Sequence, residues 1–151
     1  GVKTGVSEWS PTVSFTTKEL GKFAQQAKLT ASDGTSNDYF GNSVSLSSDG
    51  STALIGAYGK ASYTGAAYVF TRNGSAWSQT AYLKASNTEA QDCFAKSVGV
   101  YGLTIVAGAN LESSKAKGVG GDQTDNSMLS AGAAYIFTSP VNNTFLPIVI
   151  R

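Results

Sequence analysis

Short stretches of apolar or alternating residues, separated by polar turns, run along most of the chain. Alternation with a period of two is typical of strands with one buried face, and a short continuous apolar run fits a fully buried strand. The connections carry hairpin signals such as Ser48-Asp49-Gly50 and Asn73-Gly74. We therefore predict eight strands, at 41–46, 52–57, 66–71, 77–83, 95–100, 103–109, 133–138 and 144–150.

The eight strands fall into two copies of one unit. Residues 28–33 reappear at 82–87 with a shift of 54 positions, and Gly65-Ala66-Ala67-Tyr68 reappears as Gly132-Ala133-Ala134-Tyr135 with a shift of 67. Four antiparallel strands in each unit of roughly 50 residues are typical of a propeller blade. The sequence thus predicts an all-β chain of two four-stranded antiparallel propeller-type blades. Helix should be nearly absent, because no window has a 3.6-residue apolar period.

The N-terminal stretch departs from the repeat. Val13 and Phe15 share one face of a predicted strand, and residues 23–29 correspond to 77–83, the last strand of the first copy. We expect 23–29 to be the last strand of a preceding unit. The predicted organisation is an N-terminal strand region at 1–21 and a blade region at 22–151, with repeats at about 28–81 and 82–151. Two blades make an incomplete propeller, since closed ones typically have about four to eight.

Composition narrows the range of functions. The chain has no His and one Cys, so it lacks Ser-His-Asp and Cys-His nucleophile systems, His-ligated metal sites and internal disulfides. Eleven basic and ten acidic residues give a net charge of +1 without a block of like charge, which argues against a nucleic-acid partner. No apolar run approaches the roughly 20 residues of a membrane-spanning helix. We expect a non-enzymatic protein without a transmembrane segment, in which Cys93 is a buried, inert thiol.

Three segments of the first copy form a recognisable pattern: Asp38-Tyr39-Phe40-Gly41-Asn42-Ser43-Val44, Ile55-Gly56-Ala57 and residues 65–70. This pattern resembles the FG-GAP repeats of bacterial extracellular proteins, which are relatives of the integrin α-subunit propeller. The second copy keeps most of these residues but has Ala95 where the family has Gly. The resemblance implies propeller blades, an extracellular or cell-surface location, and a role in adhesion or binding. Residues 5–17 look like the final strand of a fibronectin type III domain.

Two groups of residues are candidate sites. An insertion at 111–130 in the second copy is expected to form a loop, and loop insertions in repeats often carry the binding face. Its charged residues are candidate ligand contacts: Lys115, Lys117, Asp122 and Asp125. Asp33 and Asp38 flank a polar loop and are a weak candidate for a cation site, with Asx turns as the alternative.

Calcium is the only cofactor that the residues leave open. Integrin-like repeats often bind it in an Asp-rich loop, but the corresponding loop here, 46–51, has one carboxylate, Asp49, where Ca²⁺ needs six to eight oxygens. We therefore expect Asp49-Gly50 to be a hairpin turn. Tyrosine and tryptophan rings are candidate platforms for sugars, with core packing as the alternative: Tyr39, Tyr58, Tyr63, Trp77, Tyr82 and Tyr101.

Two functions remain after these exclusions. The first is an extracellular or cell-surface adhesion module that binds a glycan or a protein. The alternative is a structural subunit of a homopolymeric surface filament or sheath, which would bind copies of itself through exposed edge strands. The edge strand predicted at 144–150 places Leu146, Ile148 and Ile150 on one face, and we expect deletion of 145–151 to destabilise the fold or abolish assembly.

Overall fold

The computed structural model describes residues 23–139, which form seven strands and one short helical turn. The first blade contains β1 (Ser43–Leu46), β2 (Thr52–Ala57), α1 (Lys60–Tyr63), β3 (Ala66–Asn73) and β4 (Ala76–Leu83). The second blade contains β5 (Phe94–Tyr101), β6 (Thr104–Ala109) and β7 (Ala133–Thr138). No helix among the described residues is long and apolar enough to cross a membrane.

Both blades are antiparallel sheets in which neighbouring strands follow each other along the chain. The first has the order β1-β2-β3-β4 and the second the order β5-β6-β7. The predicted all-β architecture of two antiparallel blades, with almost no helix, is confirmed. The strands predicted at 13–15 and 144–150, the fibronectin-like segment and the apolar face of Leu146, Ile148 and Ile150 lie outside the described residues.

The strand predicted at 23–29 is wrong. Residues 23–30 have no strand hydrogen bonding, and Phe23 is fully exposed. The equivalent strand, β4, is held by its ladder with β3. A strand needs such a partner because its backbone N–H and C=O groups form hydrogen bonds with a neighbouring strand and not within the strand itself. The described residues contain no earlier strand that could play the part of β3 for 23–29.

Each sheet buries one side against an apolar layer, as its alternating pattern requires. Ile55, Tyr68 and Phe70 lie on one side of the first sheet, where Leu29 and Phe40 of the preceding segment pack against them. Leu54 lies on the other side, in a second apolar cluster whose members come from both blades: Leu54, Ala67, Val69, Ala85, Phe94, Ala95, Ala107 and Ala109. This second cluster joins the two blades into one core.

The junction between the blades also uses backbone hydrogen bonds. The N–H groups of Cys93 and Phe94 donate to the carbonyls of Tyr63 and Thr64 at 2.8 and 3.1 Å, and a parallel bridge links Phe94 with Gly65. Cys93 is buried in this junction, as predicted, and burial raises the pKa of its thiol.

Close approach at the junction depends on a glycine. A Cβ atom on Gly56 would lie 2.2 Å from the Ala95 carbonyl oxygen, and that oxygen accepts a hydrogen bond from the Ser43 hydroxyl at 2.9 Å. No side chain fits between these two backbones.

The two ends of the blades differ in their connections. At one end, which we call the turn end, the strands are joined by tight turns at 47–51, 74–75 and 102–103. At the other end, which we call the loop end, are the segments leading into β1 and β5, the β2–β3 connection at 58–65 and the long β6–β7 connection at 110–132. Both predicted candidate sites lie at the loop end.

Candidate functional site

A buried lysine organises the loop end of the first blade. The ammonium of Lys60 lies 3.0 Å from Asp38 Oδ2 and 3.1 Å from Asp33 Oδ2, and it donates a hydrogen bond to the Asp33 carbonyl. Asp33 Oδ1 accepts a further bond from the Tyr68 hydroxyl at 2.8 Å, and the two Asp38 oxygens accept the Thr35 N–H and hydroxyl at 2.7 and 2.9 Å. We call Asp33, Asp38 and Lys60 the ion cluster.

Hydrogen bonding keeps all three members of the ion cluster charged. The Tyr68 hydroxyl, with Lys60, holds the pKa of Asp33 below its usual value in spite of partial burial. Burial acts to raise the pKa of Asp38, but hydrogen bonds from Thr35 and Lys60 outweigh burial and lower it. Burial likewise acts to lower the pKa of Lys60, and the two carboxylates outweigh it and raise that pKa.

The structure brings together the two carboxylates that the sequence singled out for a cation, and places the Lys60 ammonium between them. A metal ion would have to displace this ammonium. Within residues 23–139 no three His, Cys, Asp or Glu side chains are grouped so as to hold an ion.

The same place in the second blade has a different charge pattern, with two carboxylates and no cation. Asn87 stands where the first blade has Asp33, Asp92 corresponds to Asp38, and Glu112 corresponds to Lys60. Asn87 Nδ2 donates to Glu112 Oε1 at 2.8 Å, and the Tyr135 hydroxyl donates to Asn87 Oδ1 at 2.6 Å, as Tyr68 does to Asp33. The hydrogen-bond frame is therefore repeated while the central cation is replaced by a carboxylate.

This exchange leaves two buried carboxylates near each other. Burial raises the pKa of Asp92, and the charges of Glu112 and Glu89 raise it further against a hydrogen bond from the Glu89 N–H. Burial and the charges of Glu112 and Asp92 raise the pKa of Tyr135 to about 12. The second blade thus lacks the charge balance of the first.

Three of the six candidate tyrosine and tryptophan platforms form one cluster at the loop end. The rings of Tyr39 and Tyr58 stack with centroids 5.0 Å apart, and the Tyr63 ring lies 6.3 and 6.0 Å from them. The Lys96 ammonium lies 3.5 Å from the centre of the Tyr58 ring. Tyr39 and Tyr63 are partly exposed, so this tyrosine cluster presents ring surface to solvent.

The tyrosine cluster depends on an unusual backbone turn. Ala61, Ser62 and Tyr63 all have left-handed φ angles, between 51° and 64°. Left-handed residues cost roughly 1–2 kcal/mol each, so three in succession require strong local support. That support includes bonds from Thr64 N–H to the Ala61 carbonyl and from Gly65 N–H to the Lys60 carbonyl. The strained turn aims Tyr63 at the other two rings.

The other three platform candidates are apart from this cluster. Trp77 packs against Phe70 and the other core residues of the first blade, and the Arg72 guanidinium lies 5.8 Å above its ring. Tyr82 packs edge-on against Tyr68, and Tyr101 is exposed next to the β5–β6 turn. Packing is therefore the better description of Trp77 and Tyr82.

The insertion forms an irregular loop, as predicted, and its four charged candidates meet. Lys115, Lys117, Asp122 and Asp125 line one surface depression of about 360 Å³, together with Ala116. All four side chains are exposed. The Lys115 N–H donates to the Asp125 carbonyl at 2.7 Å, a bond that joins the two stretches of backbone that line the depression.

Within the depression the two acids also shape the backbone. Asp122 accepts the Thr124 N–H and hydroxyl, and Asp125 accepts the Ser127 N–H at 3.0 Å. The hydrogen bonds from Thr124 lower the pKa of Asp122. These Asx turns leave other oxygens of each carboxylate facing solvent.

The loop that replaces the calcium loop of integrin-like repeats is a closed turn, as predicted. Asp49 accepts hydrogen bonds from the hydroxyls of Ser47 and Ser51 at 2.6 and 2.7 Å and from the Ser51 N–H at 3.1 Å. These bonds lower the pKa of Asp49 to about 2. Gly50 follows with a φ of 68°, the left-handed geometry that favours glycine.

Sequence reasoning missed Lys60 and Glu112, the central residues of the two charge clusters. Neither residue lies in a recognisable motif. Alignment of the two copies would have found them, because it pairs Lys60 with Glu112 and Asp33 with Asn87, two differences that replace an ion pair by a neutral residue and a carboxylate.

Comparison with protein families gives a match over most of the chain. A family model described as FG-GAP repeat matches residues 23–70 and 77–137, together well over half of the chain. The two matched segments begin 54 positions apart, the same shift that relates the two copies in the sequence. A comparison with curated proteins found no relative.

Proposed function

We propose a function for this chain from the fact that it belongs to the FG-GAP repeat family. FG-GAP repeats are found in adhesion and binding modules. The proposed function is that of a non-enzymatic binding module, located outside the cell or at its surface, that recognises a glycan or a protein through the loop end.

The observation that carries this proposal is the contrast between the two ends of the blades. The turn end has short hairpins, whereas the loop end has the 58–65 and 110–132 connections, a tyrosine cluster and a charged depression. Long loops on a rigid sheet scaffold are the usual place for binding residues. Strained backbone, here at 61–63, is also concentrated at such sites.

The chemistry of the loop end suits a polar ligand with apolar faces. The exposed sides of Tyr39 and Tyr63 offer ring surface for stacking on a sugar. Lys115, Lys117, Asp122 and Asp125 supply donors and acceptors of both charges around one depression. This combination favours a glycan or a mixed-charge protein surface over an acidic polymer, which a net charge of +1 would attract weakly.

The test is a glycan array probed with the fluorescently labelled chain, followed by titration of any glycan that binds. We expect Tyr63→Ala to weaken binding by about tenfold, because loss of a stacked ring costs roughly 1–1.5 kcal/mol. Tyr101→Ala is the matched control, since Tyr101 is exposed near the turn end and should bind as wild type does. The protein arm is a binding assay on intact cells with the same two variants. Absence of binding in both assays would refute the proposal.

A second candidate function is that of a self-assembling structural subunit. It is favoured by apolar surface on the last described sheet, where Val106 and Ile136 of β6 and β7 face solvent. Exposed apolar surface of this kind marks interaction sites. Electron microscopy of the purified chain tests it, and a field of separate monomers would refute it.

A further inference from the structure

The two blades offer an internal comparison, because one face is covered in the first and uncovered in the second. Leu54 and Val69 of the first blade are 0% and 8% exposed, since the second blade packs on them. Their counterparts in the second blade, Val106 and Ile136, are 41% and 70% exposed. We call the side of β5–β7 that carries Val106, Gly108 and Ile136 the free face.

The opposite surface of the molecule shows the complementary difference. Val98 and Val100 of β5 are partly buried because they pack against the core shared with the first blade. Their counterparts in β1, Val44 and Leu46, are 67% and 58% exposed. We call the side of the first blade that carries Val44, Leu46 and the segment 37–41 the leading face.

Backbone hydrogen-bonding groups at the two faces match in the same way. In the junction, the N–H groups of Gln91, Cys93 and Phe94 donate to the carbonyls of 62–64. The equivalent N–H groups on the leading face, those of Asn37, Tyr39 and Phe40, have no acceptor within residues 23–139. On the free face, the carbonyls of 129–131, which correspond to 62–64, likewise have no donor within that range.

The backbone of the leading face has the left-handed residues that the junction uses, and the free face has one of three. Asn37 and Tyr39 have left-handed φ angles of 65° and 54°, as Gln91 and Cys93 do, with 73° and 56°. On the free face, Ser130 has a φ of 53°, close to the 64° of its counterpart Tyr63. The leading face is therefore preorganised for docking, which lowers the conformational cost of association.

We propose that the leading face of a second copy of this chain docks on the free face, by repeating the junction that joins the two blades within one copy. The second copy would place its 37–41 segment where Gln91–Ala95 lies in the internal junction. The proposal deepens the second candidate function and rests on it, since it names the surfaces through which the chain would assemble. The contact is head-to-tail, so it either closes into a ring or continues as a filament.

Gly108 allows the decisive variant. Its counterpart Gly56 lies against the Ala95 carbonyl, with no room for a Cβ atom. Within one copy, a Cβ on Gly108 would meet only the movable Ser97 hydroxyl below 3.0 Å. Gly108→Ala should therefore preserve the fold of the single chain and place a methyl group in the docking contact.

The first experiment is sedimentation velocity on the full chain over a wide concentration range. We expect wild type to associate, and both Gly108→Ala and Ile136→Lys to weaken association by roughly tenfold or more, because each disrupts a desolvated contact. Val119→Lys is the matched control, since Val119 is fully exposed on the insertion loop. Unchanged circular dichroism and melting temperature in all variants would show that the fold is kept.

The second experiment tests the register of docking. In the internal junction, the Asn42 side chain donates to the Lys96 carbonyl. Asn42→Cys on one copy should therefore form a disulfide with Lys96→Cys on another, and the two substitutions within one chain give the positive control. Ser75→Cys, at the exposed β3–β4 turn, paired with Lys96→Cys gives the background of random collision.

Three results would overturn the proposal. A wild-type chain that stays monomeric at every concentration would show that a second copy does not occupy the free face. Association that appears only after deletion of 140–151 would show that the chain's own C-terminal segment occupies the free face instead. Association that is unaffected by Gly108→Ala and Ile136→Lys refutes the free face. This last result would leave self-assembly itself standing, so the two failures are distinguishable.

Discussion

At the scale of single residues, Lys60 illustrates how a partly polar core can be stable. A lysine with so little exposure is tolerated because its ammonium pairs with both carboxylates of the ion cluster and donates a hydrogen bond to a carbonyl. Asp38 is also buried, and it would become an uncompensated charge if Lys60 were lost. The ion cluster therefore ties the 33–38 loop to the strained turn at 61–63.

We predict that Lys60→Met destabilises the chain by about 3 kcal/mol at neutral pH, since removal of one partner leaves a buried charge unpaired. The pKa of Asp38 is lowered in the folded state, so its contribution to stability is present above about pH 4 and is lost as the pH falls through the folded value. The cost of Lys60→Met should shrink over that same range. Urea unfolding at pH 7 and pH 3 measures both effects, with Lys84→Met at an exposed position as control.

Gly56 allows a second prediction at this scale. Gly56→Ala should cost about 1–3 kcal/mol, because its Cβ would overlap the Ala95 carbonyl and force the two blades apart. Gly99→Ala is the control, since a Cβ there meets nothing within 4 Å and its φ is not left-handed. Thermal unfolding of both variants checks this. Equal melting temperatures would show that the junction yields easily.

At the scale of the elements, the two blades share one hydrogen-bond frame but differ in the charge of two residues. The first blade has Asp33 and Lys60 where the second has Asn87 and Glu112, on a shared frame in which a tyrosine hydroxyl bonds the first residue of each pair. Because both positions differ between the blades and both bond within the same frame, we expect them to be energetically coupled.

The coupling can be measured by converting the second cluster into the first. Asn87→Asp alone should destabilise, because it adds a carboxylate beside Asp92 and Glu112, whose charges already raise the pKa of Asp92. Asn87→Asp with Glu112→Lys should recover stability, because the new ammonium can pair with both carboxylates. A double-mutant cycle by urea unfolding should give a coupling of roughly 1–3 kcal/mol. Additive effects of the two changes would show that the frames are not equivalent.

The elements also show what the sequence could predict. A continuous apolar run predicted β2, and the repeat of the alternating stretch at 66–71 predicted β7, both with the bounds that the structure has. Hairpin signals located the turns at Asp49-Gly50 and Asn73-Gly74. The strand at 23–29 failed because pairing depends on a neighbour, which local pattern does not reveal. Lys60 was missed for a related reason: its partners lie 22 and 27 positions earlier, and nothing near it in sequence signals a buried cation.

At the scale of the whole molecule, the apolar cluster at the junction decides whether the blades are one unit. Its members come from β2, β3, β5 and β6 together with Ala85, so each sheet would have one apolar side uncovered if the other blade unfolded. Exposing these apolar side chains to water would remove the free energy that their burial contributes. The two blades should therefore unfold together in a single transition.

Leu54→Ala tests this cooperativity. Leu54 is fully buried in the shared cluster, so its truncation should cost about 2–5 kcal/mol. Amide hydrogen exchange should accelerate in β6 of the second blade as much as in β2, which carries the substitution, because global opening exposes both. Val106→Ala is the matched control at the same position of the second repeat; since Val106 is partly exposed on the free face, it should cost about 1 kcal/mol or less. Faster exchange confined to the first blade would mean that the blades open independently, and that the junction does not bind them into one cooperative fold.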